Sequence, residues 1–248
     1  MHDKVSESVD ESVDEWAESF DPAAGRFTDW LRAGTGALWA QATAHPFTNS
    51  LADDSIEDAV YRRYLVQDYA FIETLVTVLG YAVALAPGMP AKKRFAGFLA
   101  AITDEENDYF LRSFEALGVA VAEREGTLLL PPIQTFADLM LDAARSGAYE
   151  EVLAVIVAAE WVYLTWAEAA PEPYPERFYL REWIELHDNP AFRDIVGWLR
   201  GELDRVGQAL PPERQAAVAS RFRRLVELEV AFFDAAYSDD DSDRRGPR

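Results

Sequence analysis

The sequence predicts an all-α fold, a single-domain antiparallel bundle of helices. Three observations predict it. Apolar residues recur at helical spacing along most of the chain, and no segment sustains the period-two alternation of a half-buried strand. The loops between helical stretches are short, so successive helices pack antiparallel. Half of the 248 residues are hydrophobic, enough for one large core.

Helices are expected at 23–44, 56–86, 91–117, 133–146, 149–169, 175–187, 191–208 and 212–237. The first rests on spacing. Ser55 followed by Asp58 resembles a capping box at the start of the second, and Pro87-Gly88 ends it. Gly118 ends the third, and Gly147 divides the fourth from the fifth. Pro171, Pro173 and Pro175 break the fifth from the sixth. The last two again rest on spacing. Residues 1–21 carry eight acids, one lysine and the repeat ESVD at 7–10 and 11–14. They read as a solvated acidic tail, with helix at most near Trp16. Residues 238–248 read as a second, disordered tail, leaving 22–237 as the folded domain.

The formal charge is −21, of which the two tails contribute −8. The folded part is therefore acidic in its own right and a poor surface for nucleic acid. Lysine is confined to Lys4, Lys92 and Lys93, against twenty arginines. An acid-rich, lysine-poor surface is the expectation for a halophilic cytoplasm, where salt screens the repulsion between carboxylates. No uninterrupted apolar run approaches the ~18–20 residues of a membrane span, and the N-terminus lacks a signal-peptide pattern, so a cytoplasmic location is expected. Cysteine is absent, which excludes disulfides, thiolate metal sites and cysteine nucleophiles. His2, His45 and His187 are the only histidines, too few for a multi-histidine metal centre.

Three carboxylates fall on helix faces that are otherwise apolar. In VLAVIVAAEWVYL (152–164), Glu160 is the only charged residue, and no side of this helix is polar. It reads as the central buried helix. On the second helix Leu65, Asp68, Phe71, Ile72, Leu75 and Leu79 form one stripe, with Asp68 inside it. On the last, Leu225, Glu229, Phe232, Phe233 and Ala236 line up. A buried acid without partners costs roughly several kcal/mol or takes up a proton. Each acid alone could be a hydrogen-bonded core bridge, but three in one bundle point to a polar pocket.

The residues narrow the contents of such a pocket. A di-iron centre needs Glu-x-x-His on two helices, whereas Glu185-Leu-His187 has the wrong spacing. A haem would need His45 or His187 as its axial ligand, and neither lies in a long apolar stripe. Tyr64, Tyr69, Phe71, Phe136, Tyr163, Trp166, Phe232, Phe233 and Tyr237 offer stacking faces and phenol donors, mostly as ordinary core. Carboxylates with stacking rings suit a flat, nitrogen-rich heterocycle.

His45-Pro46-Phe47, YRRYLVQDYAF (61–71), SGAYEEVLAVIVAAEWVYL (146–164), EWIELH (182–187) and EVAFFDAAY (229–237) together resemble the TenA/thiaminase II family, over residues 25–237. The resemblance implies a haem-oxygenase-like fold, hydrolysis of aminopyrimidines from degraded thiamin, and a homotetramer or homodimer. By position it implies that Asp68 binds the pyrimidine and Phe71 stacks on it. Tyr163 corresponds to a pocket tyrosine, Glu229 to the acid that moves protons, and His187 to a position where many members have tyrosine. Known members place a cysteine nucleophile on the fifth helix. Alignment through Gly147 puts Ala159 there, with Glu160 beside it, about 100° around the helix. The chain thus looks like the branch that lacks the cysteine and has a glutamate on this helix.

Expected site residues are therefore Glu229, Glu160 and Asp68 for catalysis. Asp68, Phe71, Tyr163, His187, Phe136 and Phe233 are expected to bind substrate. No metal, cofactor, nucleic acid or membrane partner is expected. A catalytically silent pyrimidine-binding protein and a helical metal or redox protein are the rival readings.

Overall fold

A computed structural model describes residues 19–238; the tail expectations for 1–21 and 238–248, and the helix near Trp16, fall almost wholly outside them. The described residues form helices α1 (Phe27–Gly34), α2 (Ala37–Thr43), α3 (Pro46–Ala52), α4 (Asp58–Leu85), α5 (Met89–Ala101), α6 (Asn107–Leu117), α7 (Val121–Arg124), α8 (Pro131–Arg145), α9 (Tyr149–Glu168), α10 (Phe178–His187), α11 (Pro190–Gly207) and α12 (Pro212–Ala235). A π-helical turn, Ile102–Glu106, joins α5 to α6. No strand occurs among them, and the all-α expectation holds.

Several boundaries differ from the sequence expectation. The helix expected at 23–44 is two helices, because Gly36 takes φ 56°, a left-handed backbone that glycine adopts without a Cβ clash. Helix α3 was not foreseen among the turn-forming residues 45–55. Pro46 starts it, the His45 Nδ1 accepts from the Phe47 N–H at 3.1 Å, and packing buries Phe47 and Leu51. The capping box at Ser55 does not form. Glu57 occupies the N-cap of α4, and the Ser55 hydroxyl donates to Asp53 instead. The sixth expected helix starts at Phe178 rather than 175, after the proline run. Helix α7, also unforeseen, is a single turn.

Helix α9 is the axis of the bundle. Every residue from Glu151 to Val162 is buried, as its all-apolar circumference requires. It packs on α12, α11, α8, α4, α10 and α2. Helix α4 is long and apolar enough, by length and composition, to cross a bilayer, with a mean hydropathy of 1.4 over its best window. Its place between α5, α8, α6 and α9 accounts for that apolarity, since Tyr61, Tyr64, Leu65, Phe71, Leu75 and Leu79 are buried there.

Candidate active site

Six elements converge on one buried cavity of about 40 Å³. Helix α4 contributes Asp68, Phe71, Ile72 and Leu75. The π turn contributes Ile102 and Glu106, and α8 contributes Phe136 and Met140. Helix α9 contributes Ala159, Glu160 and Tyr163, α10 Trp183 and His187, and α12 Glu229 and Phe232. Asp68, Glu160 and Glu229 thus meet in space, as their frustrated positions predicted.

Each acid is followed by an aromatic residue three positions on: Asp68 and Phe71, Glu160 and Tyr163, Glu229 and Phe232. Residues three apart share a helix face, so each helix delivers one acid and one ring to the same wall. The rings of Phe71, Phe136 and Phe232 pack edge to face, with centroids 5.0–5.8 Å apart. Opposite them, the His187 ring lies 4.8 Å from Tyr163 and 4.4 Å from Trp183. The Tyr64 and Tyr163 hydroxyls are 2.7 Å apart.

The cavity lining contains neither lysine nor arginine. Burial therefore sets the titration of its acids. It pushes Asp68 up to about 7, against the Tyr64 hydroxyl, which favours the ionised form. Burial, followed by repulsion from Asp68, pushes Glu160 up to about 8. Glu229 is raised well above the ordinary range by burial, then by Asp68 and Glu160. Near neutral pH, Asp68 is the acid that ionises first, and Glu160 and Glu229 hold protons. Burial lowers His187 to about 4, so it is neutral. Its Nδ1 lies 2.8 Å from the Trp183 carbonyl oxygen, which only an N–H can satisfy. Nε2 is then an acceptor.

One expected cavity residue lies elsewhere. Phe233 does not line the cavity; it stacks on Phe47 at 5.3 Å and against His45 at 5.4 Å, and its neighbour Phe232 lines the cavity instead. His45, one of the two conceivable haem ligands, is a helix cap whose Nε2 lies 3.2 Å from Asp234. Of the other aromatics, Tyr69 packs with Phe110 and Phe114, and Tyr237 is exposed. Trp166 stands behind Tyr163 and His187.

One acid was missed. Glu106 lines the cavity from the π turn, and burial, then Asp68 and Glu160, raises it well above the ordinary range. Its signal was present, because Phe95, Phe98, Ile102, Glu106, Tyr109 and Phe110 continue one helical stripe. The surrounding acids Asp104, Glu105 and Asp108 disguised it as part of a solvated face. Ala159 and Glu160 on α9 both line the cavity, so the one-residue offset does not turn the glutamate away. The described residues contain no group of three or more His, Asp or Glu placed to hold a metal ion.

Comparison with known proteins gives a consistent picture. The chain is 23% identical over 205 residues to an aminopyrimidine aminohydrolase of Halalkalibacterium halodurans, covering 82% of this chain and 91% of that protein. It is similar in structure to the TenA homologue from P. horikoshii OT3, with a TM-score of 0.77 at 22% identity, covering 86% of this chain and 99% of that one. A Shewanella denitrificans domain with a haem oxygenase-like fold superposes with a TM-score of 0.54 at 14% identity, covering 85% and 91%. The model of the TENA/THI-4/PQQC family matches residues 34–239, most of the described bundle and all of its cavity, and the chain belongs to that family.

Proposed function

We propose that this protein hydrolyses a C–N bond of a 4-amino-5-aminomethyl-2-methylpyrimidine, or of its N-formyl derivative, in thiamin salvage. The observation that carries the reading is a buried, ring-walled cavity whose acids all have raised pKa values and no cationic partner. Such acids are poised to exchange protons near neutral pH. The similarity to an aminopyrimidine aminohydrolase supports the substrate class.

Asp68, the acid that ionises first, holds the amino-pyrimidine edge, and Phe71 with Phe136 packs on the ring. Glu229 gives its proton to the leaving nitrogen. Glu160, once ionised, takes a proton from water as the oxygen bonds to carbon and the C–N bond breaks. With the aminomethyl compound, water is consumed and ammonia leaves. Tyr163 and His187 orient the substrate by hydrogen bonds, His187 accepting at Nε2. The experiment is ammonia release from the aminomethylpyrimidine. The wild type should turn over, whereas Glu229→Gln should bind the pyrimidine without turnover. Wild-type rates in that variant would overturn the role of Glu229. Binding without turnover by the wild type would favour a silent binding protein.

We also propose a cytoplasmic homotetramer or homodimer adapted to salt, with 22–237 as the folded unit and no nucleic-acid or membrane partner. The charge of −21 and the three lysines support salt adaptation. Light scattering reads the oligomeric state, and a Tm that rises between low and molar KCl checks the adaptation.

A further inference from the structure

The cavity is small for its proposed occupant. A space of ~150 Å³ houses a benzene ring, and about 40 Å³ is present. A substituted pyrimidine must therefore extend beyond it. A groove of about 300 Å³ adjoins the cavity, between α5 and the α10–α11 junction. The two share Ile102, Glu106 and His187, so two polar groups of the inner site also face the groove. A hollow on the other side shares only the aliphatic Ile72 and Ile102 with the cavity.

The groove has apolar walls, Phe98, Phe192 and Ile195, and one cation without a partner among the described residues, Lys93. Its neighbours are committed elsewhere. Lys92 donates to the Val83 and Ala84 carbonyls at 2.6 and 2.9 Å, and Arg94 pairs with Asp194 at 2.7 Å. In a chain of charge −21, an unpaired lysine beside a groove next to the site offers a local counter-charge to an anionic group.

Building on the proposed hydrolase, we propose that this groove is the subsite for an N-acyl substituent on the aminomethyl nitrogen, and that Lys93 selects acyl chains ending in a carboxylate. The substrate class is then an N-(carboxyacyl)aminomethyl-pyrimidine. The amino edge of the ring enters the inner cavity, the ring and its amide span the Glu106–His187 junction, and the acyl chain runs along Phe98 and Phe192 toward Lys93. Hydrolysis adds water across the amide. The water oxygen bonds to the acyl carbon, the C–N bond breaks, the nitrogen gains a proton, and a dicarboxylic acid and the free aminomethylpyrimidine leave.

The test compares kcat/KM for the succinyl, butanoyl and unsubstituted aminomethylpyrimidines. Wild type should favour succinyl over butanoyl by at least about fivefold, and Lys93→Gln should erase that ratio. Gly97→Phe fills the groove from α5, where an added Cβ meets nothing within 4 Å. It should lower the ratio of succinyl to unsubstituted turnover at least tenfold, with Tm as the folding check and Gly97→Leu as a milder filler. Equal wild-type rates for succinyl and butanoyl, or an unchanged ratio in a folded Gly97→Phe, would overturn the subsite. Loss of all wild-type turnover, the unsubstituted compound included, would instead overturn the hydrolase reading itself.

Discussion

Helix α9 carries two buried glutamates nine residues apart, and they live in opposite surroundings. Glu151, 5% exposed, is gripped by Arg214 at 2.8 Å and Arg221 at 2.7 Å. Glu160, 7% exposed, faces a cavity with no cation in its lining and takes a pKa of about 8. Equal burial therefore does not bring equal partners. Two arginines within reach turn Glu151 into a brace between α9 and α12, while Glu160, with no cation in the cavity lining, keeps a proton that can be moved. Asp204 is a brace of the first kind, accepting from the Arg26 Nε at 2.6 Å and the Thr28 N–H at 2.7 Å to hold α1 on α11. The cavity acids are all of the second kind.

The largest expected effect breaks this comparison on activity. Glu229→Gln or Glu160→Gln should lower kcat by about 10²–10⁴-fold, the range for a lost general acid or base. Glu151→Gln should leave kcat within a few-fold. Steady-state ammonia release measures all three.

The next effect is on stability and depends on pH. Asp68 and Glu160 have folded values of about 7 and about 8, above their ordinary 3.8 and 4.5. The folded state therefore holds these protons more tightly. Their contribution to stability is full below about pH 4 and is lost as pH rises through 7 and 8. Glu160→Gln removes the share of Glu160. It should be more stable than wild type at pH 9, on the order of 5 kcal/mol, with the difference closing toward pH 5. Urea unfolding across that range reads it.

Smaller effects sharpen the contrast. Arg221→Met leaves Glu151 buried with Arg214 alone, and should cost about 1–3 kcal/mol in urea unfolding while sparing kcat. Smallest is the pair of neighbouring rings on α12. Phe232→Leu should raise KM several-fold because that ring walls the cavity. Phe233→Leu should cost about 1 kcal/mol of stability and leave KM nearly unchanged.

That pair also shows where a sequence stops being legible. Phe232 and Phe233 stand three and four residues beyond Glu229, and both positions share its helix face. Periodicity cannot choose between them. Packing does, since α3 claims Phe233 through Phe47, and α4 and α8 claim Phe232 through Phe71 and Phe136. Glu106 was hidden differently. A solvated run of acids and a buried one look alike when the stripe beneath them passes through a π turn, which shifts the register locally.

The sequence by itself determined the all-α class, the central buried helix and the three acids Asp68, Glu160 and Glu229, because each follows from the period of one helix and the cost of burying charge. Only the tertiary structure decided that these acids share one cavity with Glu106, that Phe232 rather than Phe233 walls it, and that His45 is a cap. Those outcomes depend on which side chains and cations other helices bring within a few ångströms, and no single helix encodes its neighbours.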